Sequence, residues 1–359
     1  MIIIDNHAHI FPYLGGNSEY ALKDLQMLYA QKLISDHHEP TRKLDTYEIV
    51  NNETLWNKIK PGPEGRYEVN FKAGNFGKYE WTKDGISYCK QYMPVSLQNM
   101  VAPPELLIAQ MNFAGISKSV LQHSHIYGKL NIHYYNAIKK YPNRFIGLFQ
   151  IDEALAYTED QIIEAEYCVN KLNLKGVYFE FGGLFKGGYK NKASDKIYNN
   201  FWSIIEKLTI PIYFGIESRN YIKQINEIYK ILEKYPNLIV VITLGLPFQF
   251  AFQEDEIIIP EIIKELLLHY QVYLEIAYPI SIGREYEYPY RKSQILIENL
   301  YNFFGPSRLI WGSDIPNVER YCTYKQSLSY LKNYCSFLSL KDKELILGKN
   351  VLKLFETSM

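Results

Sequence analysis

Short apolar runs rich in β-branched and aromatic residues alternate along the chain with longer stretches in which apolar positions recur at helical spacing. The runs are Ile2–Asn6, Lys118–Gln122, Arg144–Ile151, Leu174–Phe181, Ile210–Gly215, Leu238–Leu244, Gln271–Ala277 and Arg308–Gly312. Most are apolar at nearly every position, as in parallel strands buried on both faces. Helices are predicted between them. Thr158-Glu-Asp-Gln161 and Ser339-Leu-Lys-Asp342 read as capping boxes, and Ser218 as the cap of a helix running to Tyr235 and stopped by Pro236. Eight strand–helix units predict an α/β fold, a (β/α)8 TIM barrel. The rival is an open doubly wound sheet, but no GxGxxG follows any strand.

The interval from Phe11 to Gly115, between the first two predicted strands, is far too long for an ordinary βα connection. Tyr20–Ser35 reads as a helix. Residues 37–104 then turn to Gly, Pro, Asn and aromatics, with alternating stretches at Arg66–Phe71, Lys78–Lys83 and Ile86–Tyr92. The chain is therefore expected to be one barrel over 1–359 with a β-rich lobe, 37–104, inserted after strand 1. Leaving from the carboxyl end of that strand, the lobe belongs over the barrel mouth, where such folds keep their chemistry.

Composition narrows the field. Among 359 residues, 39 Lys and Arg balance 39 Asp and Glu, which speaks against an extended nucleic-acid footprint or a polybasic membrane patch. At 47% apolar and 22% charged residues the chain reads as globular. No apolar run approaches the ~18 residues of a membrane span, and Met1-Ile-Ile-Ile-Asp5 has neither a basic n-region nor a cleavage site. Cys89, Cys168, Cys322 and Cys335 form no CxxC pair, so a reduced, cytoplasmic protein is expected. The 32 tyrosines follow no stacking motif.

Candidate chemistry begins at His7-Ala-His9, directly after the first predicted strand. Positions two apart on a strand face the same side, so both imidazoles are expected to point into the mouth, an arrangement suited to a borderline divalent cation such as Zn²⁺. Two hydrogen-bonded core histidines are the plainer alternative. Asp314 closes the last predicted strand in Leu309-Ile-Trp-Gly-Ser-Asp-Ile-Pro316. Alone it reads as a turn cap. Since strands 1 and 8 adjoin in a closed barrel, it is expected to join His7 and His9 as a ligand and proton acceptor.

Three motifs then carry a resemblance. Asp5-Asn-His-Ala-His-Ile-Phe11, Trp311-Gly-Ser-Asp-Ile-Pro316 and Gly348-Lys-Asn-Val-Leu-Lys-Leu-Phe355, with Tyr141-Pro-Asn-Arg-Phe-Ile-Gly147 before strand 3, are similar to the amidohydrolase-related family. This is the branch that includes aminocarboxymuconate semialdehyde decarboxylase and related metal-dependent hydrolases and decarboxylases. The resemblance implies a TIM barrel holding one divalent metal, usually Zn²⁺, on His7, His9 and Asp314. It also implies a histidine ligand ending strand 5 and a catalytic histidine ending strand 6. The chain departs from the pattern at both, with Gly215 and Thr243 in those places.

Glu217, just past strand 5, and Glu180, near the end of strand 4, are candidate carboxylate ligands for Zn²⁺, Mn²⁺ or Fe²⁺, although an acid before a helix commonly serves the helix dipole. His123 and His125, after strand 2, are same-facing if that strand extends so far. His125 is the preferred replacement acid/base group and His123 a candidate substrate residue. Arg219 and Arg284 are candidate clamps for a substrate carboxylate, with plain surface arginine as the alternative. Trp56 and Trp81 either roof a substrate or fill the core of the lobe. The leading expectation is a metal-dependent hydrolase of a small carbonyl, lactone or amide substrate. The rivals are a non-oxidative decarboxylase of a small unsaturated or aromatic acid and a barrel that only binds ligand. A homodimer is expected by analogy.

Overall fold

The computed structural model describes residues 1–51, 53–253, 256–277 and 285–356. Strand β1 (Ile4–Ala8) leads into helix α1 (Lys23–Asp36) and then into five short strands, β2 (Thr41–Lys43), β3 (Ile49–Val50), β4 (Lys72–Ala73), β5 (Lys78–Lys83) and β6 (Ile86–Gln91). The chain continues through α2 (Pro104–Ala114), β7 (Lys118–Leu121), α3 (Asn131–Lys140), β8 (Phe145–Gln150), α4 (Glu159–Asn170), β9 (Gly176–Glu180), α5 (Asn199–Leu208), β10 (Ile212–Gly215), α6 (Tyr221–Lys234) and β11 (Val240–Ile242). A small hairpin, β12 (Phe252–Gln253) and β13 (Glu256–Ile257), precedes β14 (Val272–Ile276) and β15 (Leu309–Trp311).

Eight strands pair in parallel in the order β1-β7-β8-β9-β10-β11-β14-β15. A parallel bridge between Ala8 and Ile315 joins the two ends, with His9 N–H donating to Ile315 O at 2.8 Å and Asp314 N–H to His7 O at 2.8 Å. The result is a nearly closed TIM barrel. Asp5 fastens the seam from outside the barrel. Its carboxylate accepts from Ser313 N–H (2.8 Å), Ser313 O–H (2.6 Å) and Tyr324 O–H (2.7 Å), while burial outweighs these bonds and lifts its pKa to about 6.

The inward face of the barrel changes character along the strands. One residue from each strand, Ile4, Val120, Leu148, Tyr178, Tyr213, Val241, Tyr273 and Ile310, joins an apolar plug with Val351, Leu354 and Phe355 from the C-terminal helix. Two residues further along each strand stand Asn6, Gln122, Gln150, Glu180, Gly215, Thr243, Glu275 and Gly312, every one of them polar or glycine. This polar layer is the floor of the barrel mouth. Burying so many polar groups is tolerable only if they bond one another or a ligand.

Some expected local features differ. Thr158 precedes α4 but makes no cap; its hydroxyl donates to Leu155 O, and the Gln161 side chain accepts from Asp152 N–H instead. Ser218 opens a short 3-10 turn, and α6 begins only at Tyr221. The Ser339–Asp342 capping box is present. Residues 66–71 form no strand; only Arg66 makes an isolated bridge, with Trp56. The sheet between α1 and α2 runs β3-β2-β6-β5-β4 and is antiparallel. Trp81 and Trp56 are both fully buried, Trp56 against Phe185. Lys90 ties the sheet to α1 by donating to Ile34 O (2.7 Å) and His37 O (3.1 Å). Among the described residues no helix is long and apolar enough to cross a membrane.

Candidate functional site

His7 lies in β1 where the register with β7 shifts between Asp5 and Ala8, His9 lies just past the strand, and Asp314 follows β15 across the closing seam. Asp314 has φ 61°, a left-handed conformation that costs a non-glycine residue about 1–2 kcal/mol. The bond from its N–H to His7 O holds it there and turns its carboxylate inward. The donor atoms converge: His7 Nε2 and His9 Nε2 are 3.0 Å apart, His9 Nε2 and Asp314 Oδ1 3.1 Å, and His7 Nε2 and Asp314 Oδ1 3.5 Å. All three residues are buried, and among the described residues they are the one group of three His, Cys, Asp or Glu side chains placed to share an ion.

The surroundings set the protonation of the two rings. His7 Nδ1 faces Glu275 Oε2 at 2.7 Å and His9 Nδ1 faces Gln122 O at 2.8 Å, so each Nδ1 carries a proton. With both rings neutral, two Nε2 lone pairs and a carboxylate oxygen therefore point at one space, an arrangement that needs a positive charge at its centre, a cation or, in the protein alone, a proton on His7 Nε2. Burial opposes charging His7, but the Glu275 carboxylate, then Asp314 and Asp5, outweigh it and bring the pKa up to about 9. His9 is held below its ordinary value by burial. Burial would raise the Asp314 pKa, but its bond to His9 and the His7 charge hold it below the usual carboxylate range. The donor set fits a divalent cation, since two ligands of one tetrahedral ion at bond lengths of ~2.0–2.2 Å lie about 3.3 Å apart.

Glu275 was missed in the sequence. It lies on β14 with no exposed surface and accepts four bonds: Asn6 Nδ2 (2.7 Å) and Gln122 Nε2 (3.0 Å) on Oε1, His7 Nδ1 (2.7 Å) and Leu244 N–H (2.7 Å) on Oε2. A carboxylate behind a ligating imidazole fixes its tautomer and raises its basicity. Gly312 leaves the room this needs, because a Cβ there would stand 2.7 Å from His7 Cβ and 2.8 Å from Glu275 Oε1. The signal was a lone acid in the apolar run Val272-Tyr-Leu-Glu-Ile276. Asn317 also escaped notice. Its Nδ2 donates to Asp314 Oδ1 (3.0 Å) and to Tyr127 O–H (2.7 Å).

The remaining candidates lie elsewhere. Neither Glu180 nor Glu217 belongs to the convergent group. Glu180 accepts from Ser124 O–H (3.2 Å) and His125 N–H (3.0 Å), and Glu217 from Gln224 Nε2 (2.7 Å) and Asn220 Nδ2 (3.2 Å). Strand β7 stops at Leu121, so His123 and His125 are not held on one strand face. His123 bonds Leu148 O (2.9 Å), packs on Tyr134, and is lowered by burial to a pKa of about 3. Arg219 reaches the Asp36 carbonyl and carboxylate, so it is no free clamp. Arg284 lies outside the described residues. Thr243 donates its hydroxyl to Phe214 O (2.8 Å) and offers no proton-transfer group.

His125 forms a second buried centre at the ends of β7, β8 and β9. Its Nε2 meets Glu153 Oε2, its Nδ1 meets the Tyr20 hydroxyl at 2.5 Å, and its ring stacks on Tyr29 at 4.0 Å. Burial would lower its pKa, but Glu153, then Glu180 and Asp152, outweigh that and raise it. A cleft of about 350 Å³ lined by Tyr20, Tyr29, His125, Lys129, Asp152 and Gln161 reaches this group. The sequence carried no sign that Glu153 and Tyr20 would meet His125.

A nearly closed barrel with two imidazoles and a carboxylate converging at its carboxyl end carries a donor set of the kind that holds a divalent metal. The chain belongs to the amidohydrolase family, whose sequence pattern matches residues 4–357. Among solved structures it is similar to an uncharacterized TIM-barrel protein from Bordetella bronchiseptica (17% identity, 100% of this chain and 99% of that one, TM-score 0.57). It is also similar to a probable 2-pyrone-4,6-dicarboxylic acid hydrolase from Acinetobacter baumannii with citric acid bound (18%, 99% and 99%, 0.56). A third is the dihydroxybenzoic acid decarboxylase from Polaromonas sp. JS666 with bound manganese and an inhibitor (15%, 72% and 88%, 0.52). Comparison with curated protein sequences finds no match.

Proposed function

We propose that this chain is a divalent-metal-dependent hydrolase of a small carbonyl, lactone or amide substrate, with His7, His9 and Asp314 as the metal's ligands. The observation that carries the reading is the convergence of two Nε2 lone pairs and a carboxylate oxygen within 3.0–3.5 Å of one another. When bound, the ion supplies Lewis acidity, making water a stronger acid and drawing charge from a carbonyl oxygen. Asp314 takes the proton that leaves the attacking water. Its Oδ1 is held by His9 and Asn317, while Oδ2 makes no hydrogen bond among the described residues and is the free acceptor. His125, with both ring nitrogens engaged, supplies the leaving-group proton through the Tyr20 hydroxyl at its Nδ1, taking the role that Thr243 leaves open, with Glu153 stabilising its charged form.

A second reading, non-oxidative decarboxylation, draws support from the same His125 centre, because a carbon losing CO₂ also needs a proton. Likeness to a dihydroxybenzoic acid decarboxylase agrees with it. Incubation of Mn²⁺- or Zn²⁺-reconstituted protein with a panel of lactones and amides, and with unsaturated and hydroxylated aromatic acids, separates the two. The hydrolase reading expects new carboxylate from the first panel. Release of CO₂ from the second panel alone would replace it with the decarboxylase.

A further inference from the structure

We infer that Tyr178 is the substrate-positioning hydroxyl of this site, standing on β9 in the space that a side chain at position 215 would otherwise occupy. The inference rests on the catalytic reading above and names a residue that reading does not use. Tyr178 belongs to the apolar ring by its Cα, but its phenol rises into the polar layer. A Cβ built on Gly215 would meet its Oη at 2.5 Å and Cζ at 2.9 Å, contacts real Cβ atoms do not make. Only glycine at 215 lets the phenol stand there. The absent strand 5 side chain is therefore a replacement, in which a hydroxyl from the neighbouring strand fills the volume.

The hydroxyl has nothing in the protein to hold. Tyr178 is 6% exposed, yet its Oη makes no hydrogen bond among the described residues, whereas the neighbouring Tyr213 on β10 donates to Asn6 Oδ1 at 2.7 Å. A phenol whose ring is packed in the barrel while its hydroxyl opens to the mouth without a protein partner has its hydrogen bond to give to a ligand atom. Burial, and then the carboxylates of Glu180, Glu275, Asp314 and Glu153, push its pKa well above that of ordinary tyrosine. It stays a neutral phenol and acts as a donor. It stands on β9, the fourth of the eight strands, across the barrel from β15, which Asp314 follows, and on the same strand as Glu180, which accepts from His125 N–H. The ligand atom it suits is an oxygen that carries or develops negative charge, a carbonyl under attack or a carboxylate, and a preorganised donor aimed at such an atom is worth about 10²–10³ in turnover.

The test compares wild type, Tyr178→Phe and Gly215→Ala in their Mn²⁺-loaded forms. Phenylalanine keeps the ring that packs in the barrel and removes only the hydroxyl, while alanine at 215 displaces the phenol. Calorimetric titration with inorganic phosphate as an oxyanion probe should show at least fivefold weaker binding in both variants, with Mn²⁺ affinity within twofold of wild type. On whichever substrate of the panel is turned over, kcat should fall at least 30-fold while KM changes less than threefold. Unchanged phosphate affinity in Tyr178→Phe overturns the inference, as does a loss of Mn²⁺ affinity, which would make the residue structural. If wild type turns over no substrate but phosphate binding still depends on Tyr178, the catalytic reading fails and this assignment stands.

Discussion

Replacing Glu275 by glutamine tests how the His7 imidazole is held. The change conserves volume and removes one acceptor face. In the native barrel both carboxylate oxygens face only donors, Asn6 Nδ2 and Gln122 Nε2 on one side, His7 Nδ1 and Leu244 N–H on the other. An amide has one oxygen, so in either orientation its NH₂ confronts two of these donors. If the NH₂ turns to His7, the ring relieves the conflict by moving its proton to Nε2, which points that proton into the space shared with His9 and Asp314. Leu244, held at φ 61°, then loses its acceptor. If the NH₂ turns the other way, Asn6 cannot invert freely, because its Oδ1 already accepts from Tyr213 O–H. Each orphaned buried donor costs about 1–3 kcal/mol, and losing a carboxylate behind a ligating imidazole typically weakens metal binding 10–100-fold. Chelator-competition titration of Mn²⁺ and a thermal melt of the metal-free protein read the two effects separately. The expected result is a folded protein melting several degrees lower, with Mn²⁺ bound 10–100-fold more weakly. Mn²⁺ affinity within twofold of wild type would show that Glu275 does not set the His7 tautomer.

Other expectations follow from the same geometry. Asp314→Asn keeps the bond from Asn317 but loses the proton acceptor, so turnover should fall by ~10²–10⁴, measured at saturating Mn²⁺; a loss under threefold would remove Asp314 from proton transfer. His125→Asn should retain its metal and lose turnover, and undiminished turnover would leave His125 a structural residue. Lys90 is 5% exposed, and burial lowers its pKa to about 8. Below that pH both folded and unfolded chains carry the charge and the fold bears the cost of burying it. Between pH 8 and the unfolded value near 10.5 the unfolded chain binds more protons, so stability rises with pH by an amount on the order of 3 kcal/mol from this group. Urea midpoints at pH 7.5 and 10 should therefore rise less in Lys90→Met than in wild type; parallel shifts would show that the buried ammonium carries no such cost.

The barrel was legible because its strands advertise themselves: buried on both faces, they are apolar throughout, and eight such runs separated by helical stretches admit few arrangements. His7, His9 and Asp314 were legible for a similar reason, each sitting at the end of a terminal strand. Their supporting residues were hidden because they are long-range partners. Nothing local to Glu275 signals that it will meet His7, 268 positions away. The glycine at 215 read as a missing ligand because the compensating phenol lies on the neighbouring strand, and sequence order does not reveal that a side chain rises from one layer into the next. Thr158 and Ser218 failed as caps for the opposite reason, since each had a plausible local pattern that a nearby turn overrode.

On this reading His7, His9 and Asp314 together hold one ion. Elemental analysis of protein purified without chelator and then dialysed against Zn²⁺ or Mn²⁺ tests it, set beside His7→Ala/His9→Ala treated the same way. Wild type should hold close to one ion per chain and the double variant almost none, with both proteins folded by circular dichroism. Less than a tenth of an ion in wild type, or equal metal content in the two proteins, would contradict it.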